Sequence, residues 1–108
     1  MNKKIKSDFT KESDFQKWAQ GVLDKIGVKW YHIPAKNKYV KKGIPDLLCW
    51  YRGRFWAMEL KVGKNSLSGD QLAEVGSFNQ EGFTVYPCWN KEEFLSVLSD
   101  TNILKGAF

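Results

Sequence analysis

Besides two arginines at a turn, the most apolar part of the chain contains three charged residues that together could carry chemistry. The stretch "GIPDLLCWYRGRFWAMELK", residues 43–61, is typical of two apolar β-strands around a tight turn. It nevertheless contains Asp46, Glu59 and Lys61. Charged groups in a half-buried hairpin cost free energy unless they are paired. This pattern therefore points to a site that uses the charges.

The two carboxylates are expected to face each other. If Arg52-Gly53 forms a two-residue turn, Asp46 lies opposite Glu59, and opposed Cβ atoms are about 4.5–5.5 Å apart. Two carboxylates at that distance repel, and a divalent cation suits them because Mg²⁺ binds one or two carboxylates together with water and phosphate oxygens. Two alternatives stay open. Arg-Gly is a weaker turn signal than Asn-Gly, so a bulge would shift the pairing, and Lys61 could form an ordinary salt bridge at the sheet edge.

The elements that must position these side chains follow from hydrophobic spacing and capping signals. These predict helix 11–26, strand 28–33, strands 45–51 and 54–61, helix 69–81, strand 83–88 and a last helix from 90 to about 99. Asp8 or Thr10 is expected to cap the first helix, and Ser68 with Gln71 forms a capping box for the second. The order αβββαβα predicts one α/β domain over residues 1–108, with a mixed β-sheet flanked by helices.

Positive charge is concentrated in one half of the sequence. Residues 1–64 hold 15 of the 17 Lys and Arg and 6 of the 12 acidic residues, a net charge of +9, whereas the remaining 44 residues sum to −4. A basic half predicts a polyanionic partner, most commonly nucleic acid; a solvated lysine-rich surface is the alternative. The candidate DNA contacts near the acidic residues are Lys36, Lys38, Lys41, Lys42, Arg52 and Arg54.

Several classes of protein do not fit the sequence. No apolar run approaches the roughly 20 residues of a membrane span, and the basic start leads into no signal segment, so a cytoplasmic protein without a membrane partner is expected. Cys49 and Cys88 are accompanied by a single histidine, too few ligands for a usual zinc cluster; both are expected to be reduced core residues. His32 is expected to be an exposed or hydrogen-bonded strand residue rather than a general base.

The motifs and their order resemble a known family of nucleases. "GIPDLL" and "ELK" place twelve residues between Asp46 and Glu59, and "LSGDQ" follows. With the αβββαβ order, this resembles the PD-(D/E)XK nuclease superfamily and is most similar to its VRR-NUC branch, over roughly residues 10–90. The resemblance implies a restriction-endonuclease-like fold. Gly-Asp in "LSGDQ", where such proteins often have Pro and a small or acidic residue, is a mild departure.

The resemblance also implies roles for individual residues. Mg²⁺ or Mn²⁺ would be held by Glu12, Asp46, Glu59 and the carbonyl of Leu60. Lys61 would position or activate water, and Gln71 would complete the catalytic set. Two of these residues have structural alternatives, since Glu12 could instead stabilise the helix dipole and Gln71 could serve only the capping box.

The activity implied by the resemblance is metal-dependent endonucleolytic hydrolysis of DNA phosphodiester bonds. Small stand-alone VRR-NUC proteins, of viral and bacterial type, resemble homodimeric Holliday-junction resolvases, which implies a homodimer acting on branched DNA in DNA repair. Two rivals stay open: a non-catalytic nucleic-acid-binding module, and a nuclease domain that acts only with a helicase or another replication partner. The complete set of Asp46, Glu59 and Lys61 argues against the first rival.

Overall fold

In the part of the chain that the structure describes, seven elements follow each other in the order expected from the sequence. The computed structural model describes residues 7–34 and 38–100. In chain order the elements are α1 (Glu12–Ile26), β1 (Lys29–His32), β2 (Leu47–Tyr51), β3 (Arg54–Leu60), α2 (Gly69–Gln80), β4 (Val85–Cys88) and α3 (Lys91–Asp100). The α/β class and the αβββαβ core are therefore confirmed. Each strand is one or two residues shorter than its predicted range.

The sheet has the strand order β1-β2-β3-β4 and is mixed, because the first three strands are antiparallel and β3 pairs in parallel with β4. In the β2–β3 hairpin, Tyr51 pairs with Arg54 and the register continues to the pair Leu47–Met58. Arg52 and Gly53 both have positive φ, 49° and 80°, as a type I′ turn requires. The two-residue turn is confirmed, and no bulge shifts the hairpin.

Helices α1 and α3 cover one face of this sheet and enclose the main apolar core. Phe15 of α1 and Phe94 of α3 are fully buried, with ring centroids 6.5 Å apart. They pack with the fully buried side chains that alternate along the hairpin, including Leu47, Met58 and Leu60. The core therefore lies on the face opposite Glu59, because neighbouring residues of a strand point to opposite faces.

The start of α1 differs from the expectation. Lys11 occupies the N-cap position without a side-chain cap, so the prediction of Asp8 or Thr10 as the cap is wrong. The Asp8 carboxylate instead accepts a hydrogen bond from the N–H of Lys91, at 2.7 Å. An acidic side chain is stabilised at either helix N-terminus, and the tertiary fold brings α3 within its reach.

The two cysteines behave as predicted. Cys49 and Cys88 are free and buried, and burial raises the pKa of both thiols to about 12. They are therefore inert core residues.

Within the described ranges, no helix is both long and apolar enough to cross a membrane.

Helix α2 lies over the other face of the sheet and holds the loop that leads into Asp46. Phe78 of α2 stacks on Phe55 of β3, with centroids 6.3 Å apart. Gly43 has φ 90°, and a Cβ at this position would overlap the backbone of Asp70 in the first turn of α2. Only glycine permits this close approach of the two backbones, so the Gly-x-Pro-Asp sequence fixes the loop on α2. The Lys41 ammonium adds a second contact, because it pairs with Glu74 of α2 at 3.2 Å.

Candidate active site

Asp46 and Glu59 meet at the end of the β2–β3 hairpin, as the sequence predicts. Their residues are 6% and 2% exposed, and their carboxylates lie within hydrogen-bonding reach of each other. One oxygen of Asp46 accepts a hydrogen bond from the N–H of Leu60 at 2.8 Å. Because the side chain takes this donor, the β2–β3 ladder ends at Leu47, and Asp46 lies just outside the strand.

The electrostatics of this pair are unfavourable when both groups are charged. Burial, followed by the charge of Asp46, raises the pKa of Glu59 to about 9. Burial also raises the pKa of Asp46, although the hydrogen bond from Leu60 and the charge of Lys61 oppose this rise. Two like charges close together in a poorly hydrated place cannot both ionise cheaply. The pair therefore favours a bound proton or a bound cation.

Gln71 connects this pair to helix α2. Its Nε2 donates a hydrogen bond to Oε1 of Glu59 at 3.0 Å, and its Oε1 accepts one from the N–H of Ser68 at 2.8 Å. The Ser68 hydroxyl in turn accepts from the N–H of Gln71 at 3.2 Å. The capping box is confirmed, and the same amide also orients Glu59. The two roles considered for Gln71 are therefore compatible.

Glu12 and Lys61 border the carboxylate pair. Burial raises the pKa of Glu12, the charge of Asp46 raises it further, and the charge of Lys61 lowers it. The N–H of Lys61 donates to the carbonyl of Cys88 at 2.8 Å, which anchors the end of β3 beside β4. The structure thus brings Glu12 and Lys61 into electrostatic contact with Asp46, while Glu12 is only partly buried at the first residue of α1.

The donor chemistry of the site fits a hard divalent cation. Asp46 and Glu59 offer carboxylate oxygens, and Mg²⁺ needs only one or two carboxylates when water and phosphate complete its shell. Over residues 7–34 and 38–100, no group of three Asp, Glu, His or Cys side chains is arranged to hold a metal. The assignment of Glu12 as a direct metal ligand therefore stays a prediction.

The predicted DNA contacts are spread more widely than the sequence suggested. Arg52 and Arg54 lie at the turn of the hairpin, five to six residues from the carboxylates, which is roughly 17–20 Å along a strand. They do not flank the carboxylates, contrary to the prediction from the sequence. Lys38, Lys41 and Lys42 are exposed on the loop that precedes Asp46, and Lys36 lies outside the described residues. His32 is exposed at the end of β1, as expected.

Comparison with known proteins supports the fold. No family model and no curated protein matches the sequence. A solved structure described as "VRR_NUC domain" superimposes with a TM-score of 0.70 and 25% identity, covering 84% of this chain and 97% of that one. Over most of its length the chain is therefore similar in fold to a VRR-NUC domain. The three helices and the mixed four-stranded sheet of the described residues have the restriction-endonuclease-like fold of such domains.

Two supports of the candidate site escaped the sequence analysis. One is the hydrogen bond from the N–H of Leu60 to Asp46; the other is the docking of Gly43 against Asp70. The second had a visible signal, because glycine is the usual residue where a backbone must approach another group closely. The first had none, since nearly every residue carries a backbone N–H.

The raised pKa of Glu59 predicts a pH-dependent stability of the metal-free protein. Folded Glu59 holds its proton more tightly than an unfolded glutamate, whose pKa is about 4.3. This contribution to stability is complete below that pKa and is lost as the pH rises toward the folded value. In EDTA, we therefore expect the free energy of unfolding to fall between about pH 5 and pH 9. Urea denaturation across this range measures it.

The matched variant for this experiment is Glu59→Gln, which cannot titrate but can still accept the hydrogen bond from Gln71. Its stability should depend less on pH than that of the wild type. Asp46→Asn leaves Glu59 buried and removes the facing charge, so it should retain part of the slope. Identical slopes in the wild type and Glu59→Gln would contradict the assignment.

Proposed function

We propose that this VRR-NUC domain is a metal-dependent endonuclease that hydrolyses phosphodiester bonds in DNA. The observation that carries the proposal is the buried pair Asp46 and Glu59, with Lys61 beside it, in a nuclease fold. Such a pair destabilises the protein when both groups are charged, and it has a direct use where a cation binds. A module that only binds nucleic acid needs no such pair.

Each residue has a role that follows from its surroundings. Asp46, Glu59 and the carbonyl of Leu60 would hold Mg²⁺ or Mn²⁺, with Glu12 at the border of the site. When bound, such a cation polarises a phosphate oxygen and lowers the pKa of a coordinated water.

The remaining contacts hold the reactive groups in place. Lys61 would orient the attacking water and offset negative charge in the transition state. Gln71 holds the Glu59 carboxylate, and the N–H of Leu60 holds that of Asp46. These bonds reduce the reorganisation that the reaction requires, because the ligands are already oriented before substrate binds.

The substrate that best suits this domain is branched DNA such as a Holliday junction. Phosphate contacts by exposed lysines such as Lys38 and Lys42 give affinity but carry no sequence information, so selectivity must come from the shape of the DNA. Two copies related by a twofold axis would match the symmetry of a four-way junction. We therefore propose a homodimer that makes paired cuts, with a role in DNA repair.

A cleavage assay on defined substrates tests the proposal. Purified protein is incubated with labelled four-way junction, flap, single strand and linear duplex of equal length, in Mg²⁺, Mn²⁺ or EDTA. We expect cleavage only with a divalent cation and fastest on the junction, and light scattering should give the mass of a dimer.

The possible failures of this assay separate the alternatives. Tight DNA binding without cleavage of any substrate would favour the non-catalytic module. Cleavage that appears only when a helicase or another replication protein is added would favour a partner-dependent nuclease. A monomer that cuts linear and four-way DNA equally would refute the junction preference and leave the nuclease activity intact.

A further inference from the structure

A row of aromatic side chains crosses the same face of the sheet that carries Glu59. Tyr31, Trp50, Phe55 and Phe83 form this aromatic row, with successive ring centroids 5.4, 5.1 and 5.1 Å apart. Trp50 pairs directly with Phe55, and Phe55 precedes Glu59 by four residues on β3. Because side chains alternate along a strand, Trp50, Phe55 and Glu59 share one face.

Helix α2 covers only part of this row. Its Phe78 stacks on Phe55, whereas Tyr31 on the edge strand is 53% exposed and Trp50 is partly exposed. Among the described residues, the ring contacts of α2 do not extend to Tyr31 or Trp50. The Lys29 ammonium lies 5.5 Å from the centroid of the Tyr31 ring. The open end of the row is thus an exposed aromatic surface beside a positive charge.

This open end lies close to the carboxylates. Tyr31 pairs with Leu48, two residues from Asp46, and Trp50 lies two residues further along β2. At a rise of about 3.4 Å per residue, the backbone positions of Tyr31 and Trp50 lie roughly 7 and 14 Å along the strand from Asp46. A DNA strand whose phosphate lies at the carboxylates therefore has its neighbouring nucleotides within reach of Tyr31 and Trp50.

Aromatic rings beside lysines suit one kind of ligand in particular. Bases of a single strand stack on exposed aromatic side chains while cationic residues meet the backbone. Bases within a duplex already stack on each other and are not available. A second copy of the chain is a poorer occupant, because two partly exposed rings offer far less than the roughly 800 Å² that each partner buries in a stable interface.

We propose that Tyr31 and Trp50 form a stacking platform for unpaired bases next to the cleavage site. The inference rests on the proposed nuclease function and extends it: the preferred substrate would expose unpaired nucleotides beside the cut phosphate, as where strands part at the branch point of a junction. Lys29 meets the backbone of the same segment. Specificity for unpaired DNA then comes from stacking, which every base supports, and not from reading a sequence.

The test compares the binding of single-stranded and duplex DNA by Tyr31 variants that remove the aromatic ring and by a variant that keeps it. Asp46→Asn protein, which is not expected to cut, is titrated in EDTA against labelled oligonucleotides by fluorescence anisotropy. Tyr31→Ala, and Tyr31→Thr as a second variant that suits a strand, should weaken binding of a single strand about 5- to 150-fold. Duplex affinity should change less than about twofold, because paired bases do not reach the rings. Tyr31→Phe, which keeps the ring, should bind single-stranded DNA with the same affinity as the protein that retains Tyr31.

Two controls isolate stacking from folding and charge. Leu95→Ala removes an exposed apolar side chain on α3, which covers the other face of the sheet, and should leave both affinities unchanged. A single strand with abasic sites should bind Asp46→Asn protein equally well with and without the additional Tyr31→Ala substitution, since no base remains to stack.

Three results would overturn the platform: equal loss of single-stranded and duplex binding, an unchanged single-strand affinity, or a dimer that becomes a monomer on loss of Tyr31 without any selective loss of single-strand binding. The last would show that a second copy occupies this face.

The cleavage assay remains a separate measurement. Wild type that cuts DNA while Tyr31→Ala binds single strands normally would refute only the platform. Selective binding loss in a protein that cuts nothing would refute only the nuclease.

Discussion

We expect Asp46→Asn and Glu59→Gln each to reduce metal-dependent DNA cleavage at least about 100-fold and to leave the protein folded. Stabilisation of transition-state charge by a catalytic cation amounts to several kcal/mol, so loss of one carboxylate ligand removes a large part of the rate. Both substitutions keep a hydrogen-bond acceptor for the donors seen in the structure, the N–H of Leu60 and the amide of Gln71. Single-turnover rates in Mg²⁺ measure the effect.

The same two variants should be as stable as the wild type in EDTA, or more stable. The physical reason is that each removes one of two buried carboxylates whose charges repel once Glu59 loses its proton, so any gain in stability should be largest near and above pH 9. Mg²⁺ should raise the melting temperature of the wild type and not that of Asp46→Asn, because a ligand that binds only the folded state stabilises it by RT ln(1 + [L]/Kd).

The matched control for these variants is Glu74→Gln. Glu74 is also a largely buried glutamate, but it lies on α2 and pairs with Lys41. Its substitution should leave the cleavage rate within a few-fold of the wild type. Near wild-type cleavage by Asp46→Asn, or an equal Mg²⁺ shift in both proteins, would show that the cation binds elsewhere.

Lys61→Ala separates chemistry from binding. We expect the cleavage rate to fall about 10²- to 10³-fold, because losing one preorganised group that stabilises developing charge costs roughly 3–4 kcal/mol of transition-state energy. DNA affinity should fall only a few-fold, since Lys38 and Lys42 on the loop remain to meet phosphates. The measurements are single-turnover rates at saturating protein and equilibrium binding in EDTA.

Lys64→Ala is the control, because Lys64 lies three residues beyond Lys61 and is exposed in the following loop. It should lower affinity slightly and leave the single-turnover rate unchanged. If Lys61→Ala lowers affinity and rate in parallel, Lys61 binds phosphate in the ground state and does not act on the transition state. That outcome would leave the roles of Asp46 and Glu59 unaffected.

The sequence by itself determined the order of the elements and the central pairing of the site. Both rest on local signals: the spacing of apolar residues, the Ser68–Gln71 capping box, and the Arg52-Gly53 turn that sets the hairpin register. Since a strand has a period of two, a known turn places every residue of the hairpin opposite its partner. Asp46 and Glu59 could therefore be brought together without any tertiary information.

Only the tertiary structure decided what surrounds that pair. Asp8 accepts a hydrogen bond at the start of α3 and not of α1, Gly43 docks against Asp70, and Lys41 pairs with Glu74. These relations join segments that are distant in the chain, and no local pattern encodes the distance between them. Burial is also a tertiary property: Glu59 becomes a group with a strongly raised pKa only because α2 and the sheet exclude water from it.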